Sequence, residues 1–271
     1  MCWDVVEGTD DARLGGSVLF ACRVALARGW DARIVTSGTA ALEAALVAAV
    51  PGVEVRVERS PVDTIFGFSV EADLGPQRLV SRAAPIDLAR HRFDDADVVH
   101  LAPIMDEIAH GSFGATAGVP FVGITPQGFL RASDPTTGAL IRHEHLQAWW
   151  VEHVGSVVLS EDEYARLAQP DALRSIPTAI TRGPLGCIGR IGDEELDVPG
   201  VDVGEVSPVG TIGAGDVFAA AFFVALAGGD DFAAALVAAN EVAAGHVSRG
   251  DFASVPEPRG PHPDQELRRR T

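Results

Sequence analysis

An alternation dominates the chain: short, almost continuous apolar runs separated by stretches of helical texture. A strand that is apolar on both faces must be covered on both. Along one chain, the arrangement that achieves this is a parallel sheet between layers of helix. Buried strands are predicted at 33–36, 97–102, 121–125, 156–160 and 178–181, and helices at 18–27, 40–50, 161–167, 216–227 and 232–247. Gly228-Gly229 supplies a stop for the helix beginning at 216. Several strands end on polar or turn residues, as at Thr125-Pro126, Ser160-Glu161 and Thr181-Arg182-Gly183. In open α/β sheets ligands gather beyond the carboxyl ends of the strands, so chemistry is expected at these positions.

Between 53 and 82 the texture changes. Residues 53–58 alternate, and 64–72 and 77–82 read as strands turning around Gly75-Pro76, with no helix among them. With the segment 4–14 they are expected to form a small β lid on a single domain spanning 1–255, able to cover a ligand. Residues 256–271, rich in proline and charge, read as a disordered tail.

Composition removes several classes of function. A formal charge of -17 argues against a nucleic-acid partner, since phosphate backbones demand a basic face. No apolar run approaches the roughly 18 residues that read as a membrane span, so no membrane partner is expected. Cys2, Cys22 and Cys187 are scattered in neither a disulfide nor a zinc pattern, and a cytoplasmic location is expected. There is no lysine, which excludes Schiff-base, pyridoxal phosphate and P-loop chemistry. His143, His145 and His153, near Trp149-Trp150, read as part of a polar helix rather than a metal site. No G-x-S-x-G elbow is present for a serine hydrolase.

Gly213-Ala214-Gly215-Asp216 opens an apolar helix. Two glycines permit a tight turn and a close approach of backbone to ligand. The helix behind them aims its unpaired N–H groups and positive dipole end at that turn, which makes a hole for an anion. A carboxylate at its mouth can accept a proton from an attacking hydroxyl. The same four residues also fit a plain glycine turn with Asp216 as helix N-cap.

The stretch GTIGAGDVFAAAFF resembles the C-terminal signature of the PfkB, or ribokinase-like, carbohydrate kinases, D-T-x-G-A-G-D. Leu14-Gly15-Gly16-Ser17 is similar to the family's N-terminal double glycine, and Thr181-Arg182-Gly183-Pro184-Leu185-Gly186 to its nucleotide-binding turn. Ser160-Glu161-Asp162-Glu163 stands where N-x-x-E is usual, and Asn240 lies on the helix that borders adenine in the family. The resemblance implies a doubly wound ribokinase-like fold and transfer of a phosphoryl group from ATP, with Mg²⁺, to a hydroxyl. It makes Asp216 the base, with the N–H groups of Gly213, Ala214 and Gly215 stabilising the moving phosphoryl. Asp4, Gly15 and Gly16 would hold the acceptor, while Ser160, Thr181, Gly183, Gly186 and Asn240 would shape the ATP site. Glu163 would organise Mg²⁺ through water, or is simply an exposed helix residue.

Trp3-Asp4-Val5-Val6, Leu14 to Phe20 and Thr125 to Arg131 look like the branch containing plant myo-inositol kinases. The resemblance implies a small-molecule partner: an inositol-like polyol first, a furanose sugar or nucleoside next. Gln127 and Arg131 would reach its hydroxyls, or serve the loop alone. A homodimer through the lid is also implied. The chain departs from the family at Gly210, usually Asp, and at Ser160, usually Asn. Family members also begin with a buried strand leading into the equivalent of Trp3-Asp4. That first core strand is missing here, which sets up the expectation of a start upstream of Met1. From the departures comes the alternative of a non-catalytic binding relic or truncated kinase.

Overall fold

The computed structural model describes residues 1–6, 12–68, 77–206 and 208–249. The Gly75-Pro76 turn, positions 69–72 of the predicted strand and the tail at 256–271 lie outside them. β1 (Cys2–Val6) and β2 (Ala12–Gly15) lead into α1 (Ser17–Ala27), and then come β3 (Arg33–Gly38), α2 (Ala40–Ala49) and β4 (Glu54–Arg59). Next follow β5 (Ile65–Phe68), β6 (Arg78–Ser81), β7 (Val98–Leu101), β8 (Phe121–Ile124), β9 (Arg131–Ser133) and β10 (Leu140–Arg142). β11 (Ser156–Ser160), α3 (Glu161–Ala165), β12 (Thr178–Thr181), β13 (Cys187–Ile191), β14 (Glu194–Val198), α4 (Ala214–Ala227) and α5 (Phe232–Arg249) complete the order.

The main sheet runs β14-β13-β12-β11-β8-β7. Its β7, β8, β11 and β12 are parallel, as continuous apolar runs demand, and each predicted buried strand is present. Val157, Val158 and Leu159 of β11 are buried on both faces, so their burial leaves the strand no solvent side. The hairpin β13–β14 adds an antiparallel edge that the sequence reading did not include.

Two expectations are corrected. Residues 53–58 do not belong to the lid: β4 pairs in parallel with β3, from Arg33 opposite Glu54 to Gly38 opposite Arg59. The intervening α2 buries Leu42 and Leu46 completely, and a strand returning from such a crossover lies beside the one that entered it. The alternation at 53–58 is that of a sheet-edge strand. The lid itself is β2-β1-β5-β6, with β1 parallel to β5 and antiparallel to β2. The second correction concerns 143–153, which is not a polar helix. β10 ends at Arg142, and the only helical piece is the single turn Val151–His153. Trp150 is fully buried in the core there with Phe113 and Phe129, so packing overrides the polar texture.

Among the described residues β3 has one strand partner, β4, and β7 has one, β8. Between them lies a cleft of about 700 Å³ lined in part by Met1, Ile34, Thr36, Val99, Leu101 and Phe223. No ladder joins the two sheet halves; helices do, since α1 packs on β3, α4 on β7, and α1 on α4. Arg33 adds a polar tie, its Nη1 reaching Asp95 at 3.1 Å and the Arg92 carbonyl at 3.2 Å while its Nε holds Glu54 at 2.8 Å.

The seating of α4 on the main sheet depends on Gly123 in β8. A Cβ there would stand 2.7 Å from three atoms of the Phe223 ring, which is 1% exposed. Gly123→Ala is therefore expected to cost about 1–3 kcal/mol through overpacking, read as a melting temperature several degrees lower than the parent's.

Candidate active site

The helix α4 starts at Ala214, two residues earlier than its apolar pattern suggests, which settles what Asp216 is locally. Gly213 is the N-cap, in the left-handed region at φ 79°, with no side-chain cap. Asp216 is in the first turn and caps nothing. A Cβ on Gly213 would sit 2.4 Å from the Phe20 ring, so both conformation and space require glycine. Gly215 differs: a Cβ there would meet no protein atom within 4 Å, because the residue faces open pocket. Uncapped N–H groups at such a helix start suit an anion.

The opposite wall comes from α1 and β1. Gly16, at φ 106°, begins α1 without a side-chain cap, so a second helix N-terminus faces the same space. A Cβ on Gly15 would stand 2.2 Å from Asp4 Oδ2, so glycine there is what lets the Asp4 carboxylate lie flat against the chain. Cys2 Sγ donates weakly to Asp4 Oδ1 at 3.6 Å. Burial pushes the Asp4 carboxyl up, opposed by that thiol contact and by the charge of Arg131.

A polar chain crosses the floor. Arg131 Nη2 donates to Gln127 Oε1 at 2.9 Å, and Gln127 Nε2 donates to Ser17 Oγ at 3.0 Å and approaches Asp216 Oδ1 at 3.5 Å. Gln127 is thus oriented at both ends of its amide. Burial raises the Asp216 carboxyl to about 6; a hydrogen bond with Ser17 and the Arg131 charge act against the rise. Burial also pulls the Arg131 guanidinium down, against the charges of Glu163 and Asp216.

These groups line one pocket of about 310 Å³. Of the residues singled out in the sequence, it gathers Asp4, Gly16, Gln127, Arg131, Ser160, Glu163, Thr181, Gly213, Gly215 and Asp216. Gly15, Gly183, Gly186, Ala214 and Asn240 are not in its wall. Asn240 donates to the carbonyls of Val198 and Pro199 at 3.4 and 3.3 Å, and Gly186, at φ 91°, lies against Val198 O and Gly200. They form a separate cluster at the end of β14. Ser160 and Glu163 close a reciprocal capping box on α3, with Glu163 Oε2 accepting from Ser160 N at 2.7 Å. Cys2, Ser17 and Phe20 also face the pocket and were not expected there as ligand contacts. For Ser17 the signal was its place directly after Gly15-Gly16, at the first turn of a helix.

No group of three or more His, Cys, Asp or Glu poised for a metal occurs among the described residues. The hard oxygens facing the pocket, Glu163 above all, suit an ion that keeps most of its water, as Mg²⁺ does.

Residues 143–258 match the pfkB family carbohydrate kinase model. That stretch is less than half of the chain, and over it the sequence is similar to the pfkB family. Its match to the ribokinase of Bacillus subtilis (strain 168) is 40% identical over 92 residues, 34% of this chain and 29% of that protein, so it spans less than a third of that relative's length. Solved structures of the ribokinase fold superpose over nearly the whole chain. A pyrophosphate-dependent kinase of the ribokinase family, in complex with a pyrophosphate analog and myo-inositol, is 19% identical with a TM-score of 0.74, covering 99% of this chain and 96% of that one. Ribokinase from Thermotoga maritima is 19% identical at 0.67, covering 94% and 92%. Arabidopsis thaliana ribokinase, complexed with ribose and ATP, is 18% identical at 0.67, covering 90% and 88%. At these identities the likeness is one of fold.

The raised carboxyl of Asp216 has a consequence for stability. A carboxyl whose folded value exceeds its unfolded one favours the fold below about pH 4 and loses that contribution as pH rises through about 6. Asp216→Asn is therefore expected to melt higher than the parent at pH 8. The gap, about 1–2 kcal/mol once solvent screening in the pocket is allowed for, should close as pH falls below 4. Thermal melts of both proteins across that range measure it.

Proposed function

We propose that the protein is a kinase that moves the γ-phosphoryl group of ATP to a hydroxyl of a small polyol or sugar. An inositol-like polyol is the first acceptor to try, and a furanose sugar or nucleoside the next. What carries the reading is the convergence of two uncapped helix N-termini and the Asp216 carboxylate on one pocket that also holds Arg131 and Glu163.

Asp216, with a carboxyl near 6, is mostly ionised at pH 7 and still basic enough to take a proton. The acceptor hydroxyl gives its proton to Asp216 as its oxygen bonds to phosphorus. The bond from phosphorus to the bridging oxygen breaks, leaving the charge on the departing diphosphate. N–H groups at Gly213, Ala214 and Gly215 face the oxygens on which charge builds, and catalysis is then mainly positioning and electrostatics. Asp4 would accept from acceptor hydroxyls, with Gly15 and Gly16 allowing close approach, while Gln127 and Arg131 would reach the same ligand. Thr181 and Ser160 would border the donor, with Gly183, Gly186 and Asn240 shaping the nucleotide end beyond the pocket wall. Mg²⁺, held through water by Glu163, would supply charge neutralisation on the phosphates. Gly210 and Ser160, where the family usually has Asp and Asn, would weaken that handling without touching the base.

Pyrophosphate is the second donor to consider, because a structure of the same fold at TM-score 0.74 is described as pyrophosphate-dependent. The anion hole serves either donor. The test is a panel of polyols, sugars and nucleosides with Mg-ATP or Mg-pyrophosphate. Turnover is expected to fall about tenfold per pH unit below roughly pH 6, as Asp216 protonates. Asp216→Asn should lower kcat by about a hundredfold or more. Equal turnover in that variant, or no turnover on any pair, defeats the proposal.

A further inference from the structure

His246 lies in the last turn of α5 and is 2% exposed. Its Nε2 is 2.8 Å from the carbonyl oxygen of Ile212. A carbonyl only accepts, so Nε2 carries the proton. Nδ1 is buried with no hydrogen-bond partner. A buried imidazole with one unsatisfied nitrogen is costly, and a leucine would fill a similar space without that cost. The bond to Ile212 is what the histidine adds.

Ile212 O and Gly213 N belong to one planar trans peptide, in which carbonyl and N–H point in opposite directions. Fixing the carbonyl on the α5 side therefore aims the Gly213 N–H away from α5, and both Ile212 and Gly213 line the pocket. Gly213 has no side chain of its own to hold that peptide and precedes the first helical residue of α4. The imidazole also stands edge-on to the Phe20 ring, centroids 5.6 Å apart, and that ring presses on Gly213. His246 thus holds the Ile212–Gly213 peptide by a hydrogen bond from one side and backs the ring that packs it from the other. A hydrogen bond on the carbonyl also polarises the N–H of the same peptide, strengthening it as a donor.

We propose that His246 is a positioning residue for phosphoryl transfer, acting through the Ile212–Gly213 peptide to aim and polarise one N–H of the anion hole. The proposal rests on the kinase reading of the site. His246→Leu keeps the volume and removes the donor, while His246→Gln returns an N–H donor near the place of Nε2. With the best donor and acceptor found in the panel, His246→Leu should lower kcat about 10–100-fold, less than loss of a whole oxyanion donor. KM for the acceptor should stay within about twofold, and His246→Gln should recover most of the loss.

Leucine at parental kcat overturns the assignment, and so does a glutamine variant no better than leucine, because the effect is then packing. If the parent is inactive on every pair, the kinase reading fails while this one is still decided by crystal structures. A leucine variant whose Ile212–Gly213 peptide keeps its parental orientation overturns it. A rotated peptide in leucine and a parental one in glutamine support it. Should leucine prevent folding, the glutamine variant and His246→Asn, whose shorter amide cannot reach Ile212, give the same contrast.

Discussion

The close approach of the Phe20 ring to Gly213, where an added Cβ would stand 2.4 Å from the ring, sets the geometry on which the candidate site depends. It brings the first turns of α1 and α4 to van der Waals distance, closer than any residue with a Cβ at 213 allows. Because both helices begin there without side-chain caps, one contact places two sets of unpaired N–H groups around one pocket. It also brings Ser17 to Asp216, so that the hydroxyl at the start of α1 stabilises the carboxylate in the first turn of α4. Since no ladder joins β3 to β7 among the described residues, the same helix pair links the two halves of the sheet layer. Site geometry and fold integrity thus rest on one interface.

Electrostatics in the pocket are a balance between burial on one side and hydrogen bonds and the Arg131 charge on the other. Burial drives the Asp4 and Asp216 carboxyls up, and Arg131 opposes both. Arg131 is held by Gln127 and by the Ile104 carbonyl at 3.3 Å, so the segments after β8 and β7 fix its position. A carboxyl near 6 follows from incomplete compensation.

Much of the layout was legible in the sequence because strands buried on both faces carry a signal independent of their neighbours. Runs such as Val157 to Leu159 are apolar whatever packs on them, so the parallel strands were found. Alternation is less informative. Residues 53–58 alternate because one face of β4 is covered, and alternation does not say which sheet the strand joins. The stretch near Trp149-Trp150 was misread because its polar residues lie on the surface of an irregular loop anchored by one buried tryptophan. In the site, Gly213 to Asp216, Gln127 and Arg131 were visible as local patterns. Ser17 and His246 were not assigned roles, because their partners lie far away in the chain.

What the sequence determined by itself was a parallel α/β layer and a glycine-rich helix start bearing a carboxylate, since both depend on residues within a few positions of each other. Tertiary structure decided what that carboxylate is. The cap at Gly213 frees Asp216 from a capping role, the depth of the pocket raises its carboxyl to about 6, and Ser17 and Arg131 limit the rise. Tertiary structure also left Gly15, Gly183, Gly186, Ala214 and Asn240 outside the pocket wall that gathers the other predicted residues. The physical reason is range: backbone conformation is dictated locally, whereas desolvation and charge pairing depend on every group the fold brings within a few ångströms.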